Sequence, residues 1–411
     1  MNLLLLTKFY PYGTGEAFLE NEIEILSEYY DKIQIIACEV SEDISKTKRN
    51  LPQNVESNFV PTVNKYKILL HSLKRFLSKE KDFKEEQIEA HNIIQKIFLC
   101  YFEEKSQKIF KYIIKHNLLK DIIVSNFVIY SYWFFTTARI GILIKNKNTV
   151  YSFSRAHGYD LYEYRNIIKY LPYRKLFLKE YNNVFPCSKN GTLYLKNKYQ
   201  NFAKNVKTSY LGTKDHGINP TYSDNNFSIV SCSRVEPVKR IHKIVETLEI
   251  LDKENSKIEW THIGGGSQLN KIKSMCHSKI KHIKCNFKGD IQNSEVINLY
   301  KEKHFDLFIN VSSSEGLPVS IMEALSFGIP VIATDVGGTS EIVINSVTGK
   351  LIKEKFRTAE LAKLLIFFSK NDLLNLKKTC RIFWDKNLRA DREYHKLQKY
   401  IKNKIFSNYS A

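Results

Sequence analysis

The chain has 411 residues, enough for two or three domains with their own cores. With 43% hydrophobic and 26% charged residues it has a globular composition, which excludes a disordered or fibrous chain. The 63 Lys and Arg against 43 Asp and Glu leave +20, spread along the chain rather than gathered in a tail. That excess suits nucleic acid, an anionic membrane surface or a phosphorylated ligand, or simply reflects a composition rich in Lys, Asn and Ile.

In chain order, Leu3–Leu6 is a continuous apolar run, too short for a signal-peptide core, and predicts a buried parallel strand. A loop from Phe9 to Glu16, containing Pro11, Gly13 and Gly15, leads into a helix marked by Phe18, Ile23, Ile25 and Leu26. Ile33–Ala37 predicts the next strand, so the chain opens as a doubly wound α/β domain. From about 63 to 117 the rhythm breaks into two basic, aromatic-rich helical segments, Val63–Ser78 and Glu86–His116. Ser57–Lys79 contains no acidic residue but carries Lys65, Lys67, Lys74, Arg75 and Lys79. Ile68, Leu69, Leu73, Phe76 and Leu77 recur there at helical spacing, so the segment either packs on its own domain or lies on a membrane surface. Ile122–Ile144 is the most apolar stretch. Arg139 interrupts it, and Ser125, Asn126, Ser131, Thr136 and Thr137 dilute it, which predicts a buried strand and then a buried helix rather than a membrane span.

Asp215–Asn226 is rich in turn formers and predicts a linker. Beyond it, strands are expected at Ser228–Ser233, Glu259–Ile263, Ile283–Lys288, Asp306–Val311 and Pro330–Thr334, with helices between, giving two α/β halves of similar size. The seven cysteines are scattered and lack CxxC spacing, which fits a reducing compartment. Cys276, His277, His282 and Cys285 have no further ligand pair to support a zinc site.

The chemistry is densest in residues 306–343. A buried strand runs into the loop Ser312–Leu317, Pro318 stands where the first residue of a helix tolerates a missing N–H, and Gly328 and Pro330 end that helix and open the next strand. The free amides at such a helix start, at the carboxyl edge of a parallel sheet, favour an anion. Glu315 and Glu323 frame this position with seven residues between them. Carboxylates beside an anion site make sense where hydroxyls are there to be accepted from, and a diphosphate flanked by two polyols is a sugar nucleotide.

This E-x7-E setting resembles the retaining glycosyltransferases of family 4, over nearly the whole chain. The resemblance implies an α/β protein of GT-B architecture, two Rossmann-like doubly wound domains facing a central cleft. It implies an acceptor-side domain over 1–215 with the helical insertion at about 63–117, a nucleotide-sugar-binding domain over 216–383, and a terminal helix over 384–411 crossing back to the first domain. By the same likeness Glu315 contacts donor-sugar hydroxyls, Glu323 binds the ribose, and amides around Gly316 and Leu317 meet the sugar or diphosphate. SCSRVEPVKR resembles the family's strand-end loop and places Arg234 and Lys239 on the diphosphate. Gly264 and Gly265 resemble a glycine turn, Gly289 the turn near the base, and YPYGTGE, with Gly13 and Gly15, the first glycine loop. SRAHGYDLYEYR supplies His157 as the cleft histidine, with Arg155 and Asp160 as neighbours.

The implied activity is transfer of a sugar from a nucleotide-sugar donor to a hydroxyl with retention, catalysed by His157, Glu315, Arg234 and Lys239 without metal or other cofactor. The expected acceptor is a glycan, lipid-linked, in capsule, exopolysaccharide or lipopolysaccharide biosynthesis. The expected location is cytoplasmic, peripheral at the inner face of the cell membrane. A sugar-nucleotide epimerase or hydrolase on the same fold is the alternative, and incubation with donor alone separates the two. A nucleic-acid binder is not expected, because none of its recurrent modules is present. A non-catalytic lectin-like module would be excluded by donor turnover.

Overall fold

A computed structural model describes residues 1–122, 124–221, 226–254 and 257–409. The chain divides into two compact units, one of Met1–Tyr210 with the residues from Tyr394 onward, the other of Leu211–Glu393.

The first unit is built on a six-stranded parallel sheet. Its strands are β1 (Asn2–Thr7), β2 (Ile33–Val40), β3 (Val55–Pro61), β4 (Phe127–Ser131), β5 (Thr149–Ala156) and β6 (Asn183–Pro186), in the order β3-β2-β1-β4-β5-β6. Leu3–Leu6 are fully buried, as expected of a central strand covered on both faces. In the apolar stretch from residue 122, β4 is followed by the helix Thr136–Ile144, as the dilution by polar residues predicts; Ile123 lies outside the described residues. The interrupting Arg139 is buried and grips Glu103 through two hydrogen bonds of 3.0 Å. That pair ties the helical insertion to the helix Thr136–Ile144, since Glu103 sits on the long helix Ile93–Lys115.

The insertion consists of the helix Lys65–Ser72, a 3₁₀ turn Leu73–Leu77, the helix Lys81–Glu89 and the helix Ile93–Lys115. The expected segment Glu86–His116 is therefore broken at Ala90–Asn92, where the Asn92 side chain accepts from the Gln95 amide at 2.9 Å and caps a new helix. Ile68 is buried, whereas Leu69, Leu73 and Leu77, expected on its face, are exposed.

The second unit repeats the plan with β7 (Phe227–Cys232), β8 (Ile258–Ile263), β9 (Lys284–Phe287), β10 (Leu307–Asn310), β11 (Val331–Thr334) and β12 (Gly349–Ile352), in the order β12-β11-β10-β7-β8-β9. Both sheets reverse strand order once, between β1 and β4 and between β7 and β10. The carboxyl ends of those strands are where doubly wound sheets place ligands.

The unit boundaries depart from those expected at 215 and 383. Leu211–Asp215 belong to the second unit, and so do residues 384–393. The reason is a knot of hydrogen bonds around Thr213: its amide donates to the Leu388 carbonyl at 3.0 Å, its carbonyl accepts from the Ala390 amide at 3.0 Å, and its hydroxyl accepts from the Trp384 indole at 2.7 Å. Asp215 and Asn219, expected in a linker, are bound within the second unit, Asp215 to Arg381 and Asn219 to the backbone of Tyr300, Lys303 and Phe305. The rest of that expected linker, 222–225, lies outside the described residues. The last helix, Ala390–Tyr409, contributes Leu397, Ile401 and Ile405 to the core of the first unit.

Candidate active site

In the second unit, five loops leave the carboxyl ends of β7 to β11, and the predicted residues lie on them except Glu323, which is on the helix after β10. The loop after β7 carries Arg234 and ends in a 3₁₀ turn, Pro237–Lys239. It is stitched to the loop after β10: the Ser313 amide donates to the Val238 carbonyl at 2.8 Å, and the Arg240 guanidinium donates to the carbonyls of Val311 (2.7 Å) and Ser312 (3.1 Å). The stitching brings Lys239 onto Glu315, with Nζ 2.6 Å from Oε1. Asn310 Nδ2 also donates to that oxygen at 3.3 Å. Burial raises the Glu315 pKa, but the Lys239 charge and hydrogen bonds from Lys239, Ser312 and Asn310 outweigh it and hold the carboxyl below its ordinary value.

Glu323 is different. It lies on the buried helix Val319–Ser326, for which Pro318 is the N-cap rather than the first residue, because its backbone is extended. Its carboxylate has one polar partner of the described residues, Asn293 Nδ2 at 2.8 Å, and no cation beside it. Burial pushes its pKa up to about 7. A carboxylate held this short of donors is suited to accept from ligand hydroxyls.

Arg234 is not brought to the Lys239–Glu315 pair. Its side chain is 76% exposed and bonded to Glu236 at 3.1 Å, and Glu236 in turn accepts from the Ser267 amide and hydroxyl. The glycine turn after β8 lies against this loop. Gly264 has φ +128°, and a Cβ there would sit 2.0 Å from the Ser233 carbonyl oxygen. The Gly264 amide donates to the Gly289 carbonyl at 2.9 Å and the Gly265 amide to Asp290 Oδ1 at 2.7 Å. The amides of Gly264 and Gly265 are thus engaged within the protein, and the smallness of both residues lets two loops pack.

Gly337, in the loop after β11, was not singled out in the sequence. It has φ +57°, and a Cβ would lie 1.9 Å from the Glu315 carbonyl oxygen, while the Gly338 amide donates to the Gly316 carbonyl at 2.7 Å. This loop shapes the backbone of Glu315–Leu317. Gly337→Ala is expected to lower activity strongly by displacing Glu315, and restoration of wild-type turnover in that variant would deny the loop this role. Asn293, Asn310 and Arg240 were missed as well. The one available signal was the place of Asn310, a polar residue near the end of the predicted strand Asp306–Val311.

In the first unit, Glu16 organises the loop after β1. Its carboxylate accepts from the amides of Lys8 (3.1 Å), Phe9 (2.7 Å) and Tyr10 (2.6 Å) and from the Trp133 indole. Arg49 donates to the carbonyls of Gly13 (2.7 and 2.9 Å) and Gly15, and the Gly13 amide donates to Thr47. The glycine loop is thus held from inside by Glu16 and Arg49. His157, at the end of β5, is packed among Trp133, Tyr132 and Phe18, with ring centroids 4.4, 5.0 and 5.8 Å away. Neither ring nitrogen has a hydrogen-bond partner among the described residues. A buried imidazole left this way is costly unless something outside the protein bonds it. Asp160 sets its position, accepting from the amides of His157 and Phe134 at 2.7 Å each.

Arg155, predicted as a substrate contact, is fully buried. It donates to Tyr130 Oη (2.8 Å) and the Ser209 carbonyl (2.9 Å) and lies 3.4 Å from the buried Glu22 carboxylate. Its Nε and one terminal nitrogen are engaged in the core, while the other terminal nitrogen has no hydrogen-bond partner among the described residues.

Solved structures with the same fold include Anabaena Alr3699/HepE in complex with UDP (TM-score 0.68, 14% identity, covering 98% of this chain and 99% of that one). Staphylococcus aureus TarM is as similar, with TM-score 0.68, 14% identity and coverage of 98% and 99%. The fold is GT-B. The family model "Glycosyl transferases group 1" matches residues 214–383, the stretch that carries Arg234, Lys239, Glu315 and Glu323. An uncharacterised glycosyltransferase of Methanocaldococcus jannaschii is 27% identical over 267 residues, 64% of this chain and 71% of that protein. A poly(ribitol-phosphate) alpha-N-acetylglucosaminyltransferase of S. aureus is 28% identical over 194 residues, which span 38% of its length. The chain is a glycosyltransferase.

Proposed function

We propose that this enzyme transfers a sugar, with retention, from a nucleoside-diphosphate donor to a hydroxyl of a lipid-linked glycan in the biosynthesis of a bacterial surface polysaccharide. The observation that carries the reading is the pair of buried carboxylates at the strand-order reversal of the second sheet, one bound to Lys239 and one without a cation. In this reading Glu315 accepts from hydroxyls of the donor sugar and Glu323 from the ribose. Lys239 and Arg234, swung from Glu236, meet the diphosphate, with the Val319–Ser326 helix start behind them. The bond from the anomeric carbon to the diphosphate oxygen breaks, the bond to the acceptor oxygen forms on the same face, and the departing phosphate takes the acceptor proton. Two cations offset the leaving charge, so no metal is needed in this account, and EDTA is expected to leave activity unchanged. His157 is taken as an active-site histidine.

The pathway is supported by relatives named for O-antigen biosynthesis in Escherichia coli (40% identical over 81 residues, 22% of that protein) and amylovoran biosynthesis in Erwinia amylovora. Uridine is supported as the base by the HepE complexes with UDP and with UDP-glucose. Among the described residues no helix is long and apolar enough to cross a membrane. We place the enzyme in the cytoplasm, attached peripherally to the membrane. The test is nucleoside-diphosphate release from UDP-, GDP- and ADP-sugars, with and without a bacterial lipid extract, and the anomeric configuration of the product by NMR. Release that requires the extract and a product with the donor's configuration are expected. Inversion would overturn retention, and equal consumption of donor alone would favour an epimerase or hydrolase.

A further inference from the structure

The helical insertion carries a row of large apolar side chains on its outer face. Tyr66, Leu70, Leu73 and Leu77 are 79%, 71%, 56% and 86% exposed. Tyr66, Leu70 and Leu73, four and three residues apart, share the side opposite the buried Ile68 and Ser72, and Leu77 extends the stripe at the end of the 3₁₀ turn that follows. Arg75 and Glu104, 2.9 Å apart, fix the turn Leu73–Leu77 to the long helix Ile93–Lys115. Ile93 and Ile94 at the start of that helix are also exposed. Gln95 bonds the Ile168 carbonyl at 3.3 Å and brings the wholly exposed Ile167 to the same end. A soluble surface seldom leaves this many large apolar groups together without a partner.

The charges beside the stripe say which partner. Lys65, Lys67, Lys74 and Lys79 are exposed, and none is ion-paired with a carboxylate of the described residues. Arg75, by contrast, is held by Glu104 and Glu80 and contributes no free charge. A second copy docking on this face would bring two lysine rows together. An anionic bilayer supplies both complements, headgroups for the lysines and acyl chains for the stripe.

We infer that Tyr66, Leu70, Leu73 and Leu77, flanked by Lys65, Lys67, Lys74 and Lys79, form the face by which this chain docks on an anionic lipid bilayer. The inference deepens the reading of a lipid-linked acceptor, and its test uses neither donor nor acceptor, so each fails separately. The lysines hold the face to the headgroups in a salt-sensitive way, while the leucines enter the interface and make attachment persist once formed.

The experiment is flotation of the full chain with vesicles of phosphatidylcholine alone or with about 30% phosphatidylglycerol, at low and high salt. Wild type is expected to float with the anionic vesicles, less at high salt, and poorly with the neutral ones. Lys65→Glu/Lys67→Glu/Lys74→Glu should weaken binding roughly 100-fold, at about fivefold or more per lysine. Leu70→Ser/Leu73→Ser/Leu77→Ser should lose binding at every salt concentration while melting as wild type does, because these side chains are exposed. Phe367→Ser/Ile382→Ser, which alters exposed apolar groups of the second unit, should float normally. Absence of wild-type flotation, or flotation of the leucine variant at the wild-type level, would overturn the inference. So would a concentration-dependent dimer that the leucine variant abolishes, which would make the face a contact between copies.

Discussion

Lys239→Ala is expected to lower turnover by roughly 100-fold or more, the usual effect of removing a group that stabilises leaving charge. Lys239 is tied to Glu315 at 2.6 Å, and in the proposed reading its remaining donors meet a phosphate while Glu315 fixes its direction. The substitution also strands Glu315. With its cation gone, burial is opposed only by the hydrogen bonds from Ser312 and Asn310, and its pKa rises. In the wild type the pair stabilises the fold at pH above the ordinary glutamate value, and this is lost as pH falls through the lowered value. Breaking a fully buried pair from one side costs about 3–5 kcal/mol, and with Lys239 24% exposed the cost here falls below that range. Lys239→Ala/Glu315→Gln separates the two effects. It should recover much of the melting temperature, because no buried charge is left unpaired, and none of the turnover. Single-turnover rates and thermal melts of both variants decide it, and turnover regained in the double variant would show that Lys239 acts only through stability.

Glu323→Gln should make the protein more stable and a poorer binder of donor. The folded carboxyl has a pKa of about 7, against an ordinary 4.5, because burial disfavours its charge. The folded state therefore holds a proton that the unfolded state releases. Stability declines as pH rises from the ordinary value to the raised one and is flat above. The difference is worth about 3 kcal/mol at pH 8. The glutamine variant escapes that decline, so its advantage should be near zero at pH 4.5 and full above pH 7. Nucleoside-diphosphate affinity should fall about 10-fold or more at pH 8, where the wild-type carboxylate accepts from ribose hydroxyls with its full charge. Melting curves at several pH values and calorimetric titration check both halves. A variant no more stable at pH 8 than at pH 5, relative to wild type, would contradict the burial argument.

Much of this was legible in the sequence because it rests on local rules. Leu3–Leu6 and Asp306–Val311 could only be buried strands, and Gly328 with Pro330 marked where a helix ends. The β12 strand escaped because Gly349–Ile352 is four residues long and has a lysine in the middle. Glu315, Glu323 and Lys239 could be named from spacing and resemblance, but not their different surroundings. That Lys239 neutralises Glu315 while Glu323 has only Asn293 depends on how loops after different strands meet. Arg155 misled for the same reason: nothing in SRAHG reveals Glu22, more than 100 residues earlier, waiting in the core. The stripe at Tyr66, Leu70, Leu73 and Leu77 was half legible: Leu73 and Leu77 stood in the amphipathic run that could lie on a membrane, but the face was drawn through Ile68, which takes the core, and so left out Tyr66 and Leu70.

The proposed function rests on binding of a nucleoside diphosphate at the carboxyl edge of the second sheet, through Glu323 and Lys239. Its most direct measurement is the melting temperature of the wild type and of Glu323→Ala in saturating UDP, GDP and ADP. Ligand at about 100 times its dissociation constant stabilises the folded state by about 2.7 kcal/mol. One of the three is expected to raise the wild-type melting temperature by several degrees and to leave that of Glu323→Ala nearly unmoved. No rise with any of the three, or an equal rise in both proteins, would contradict it.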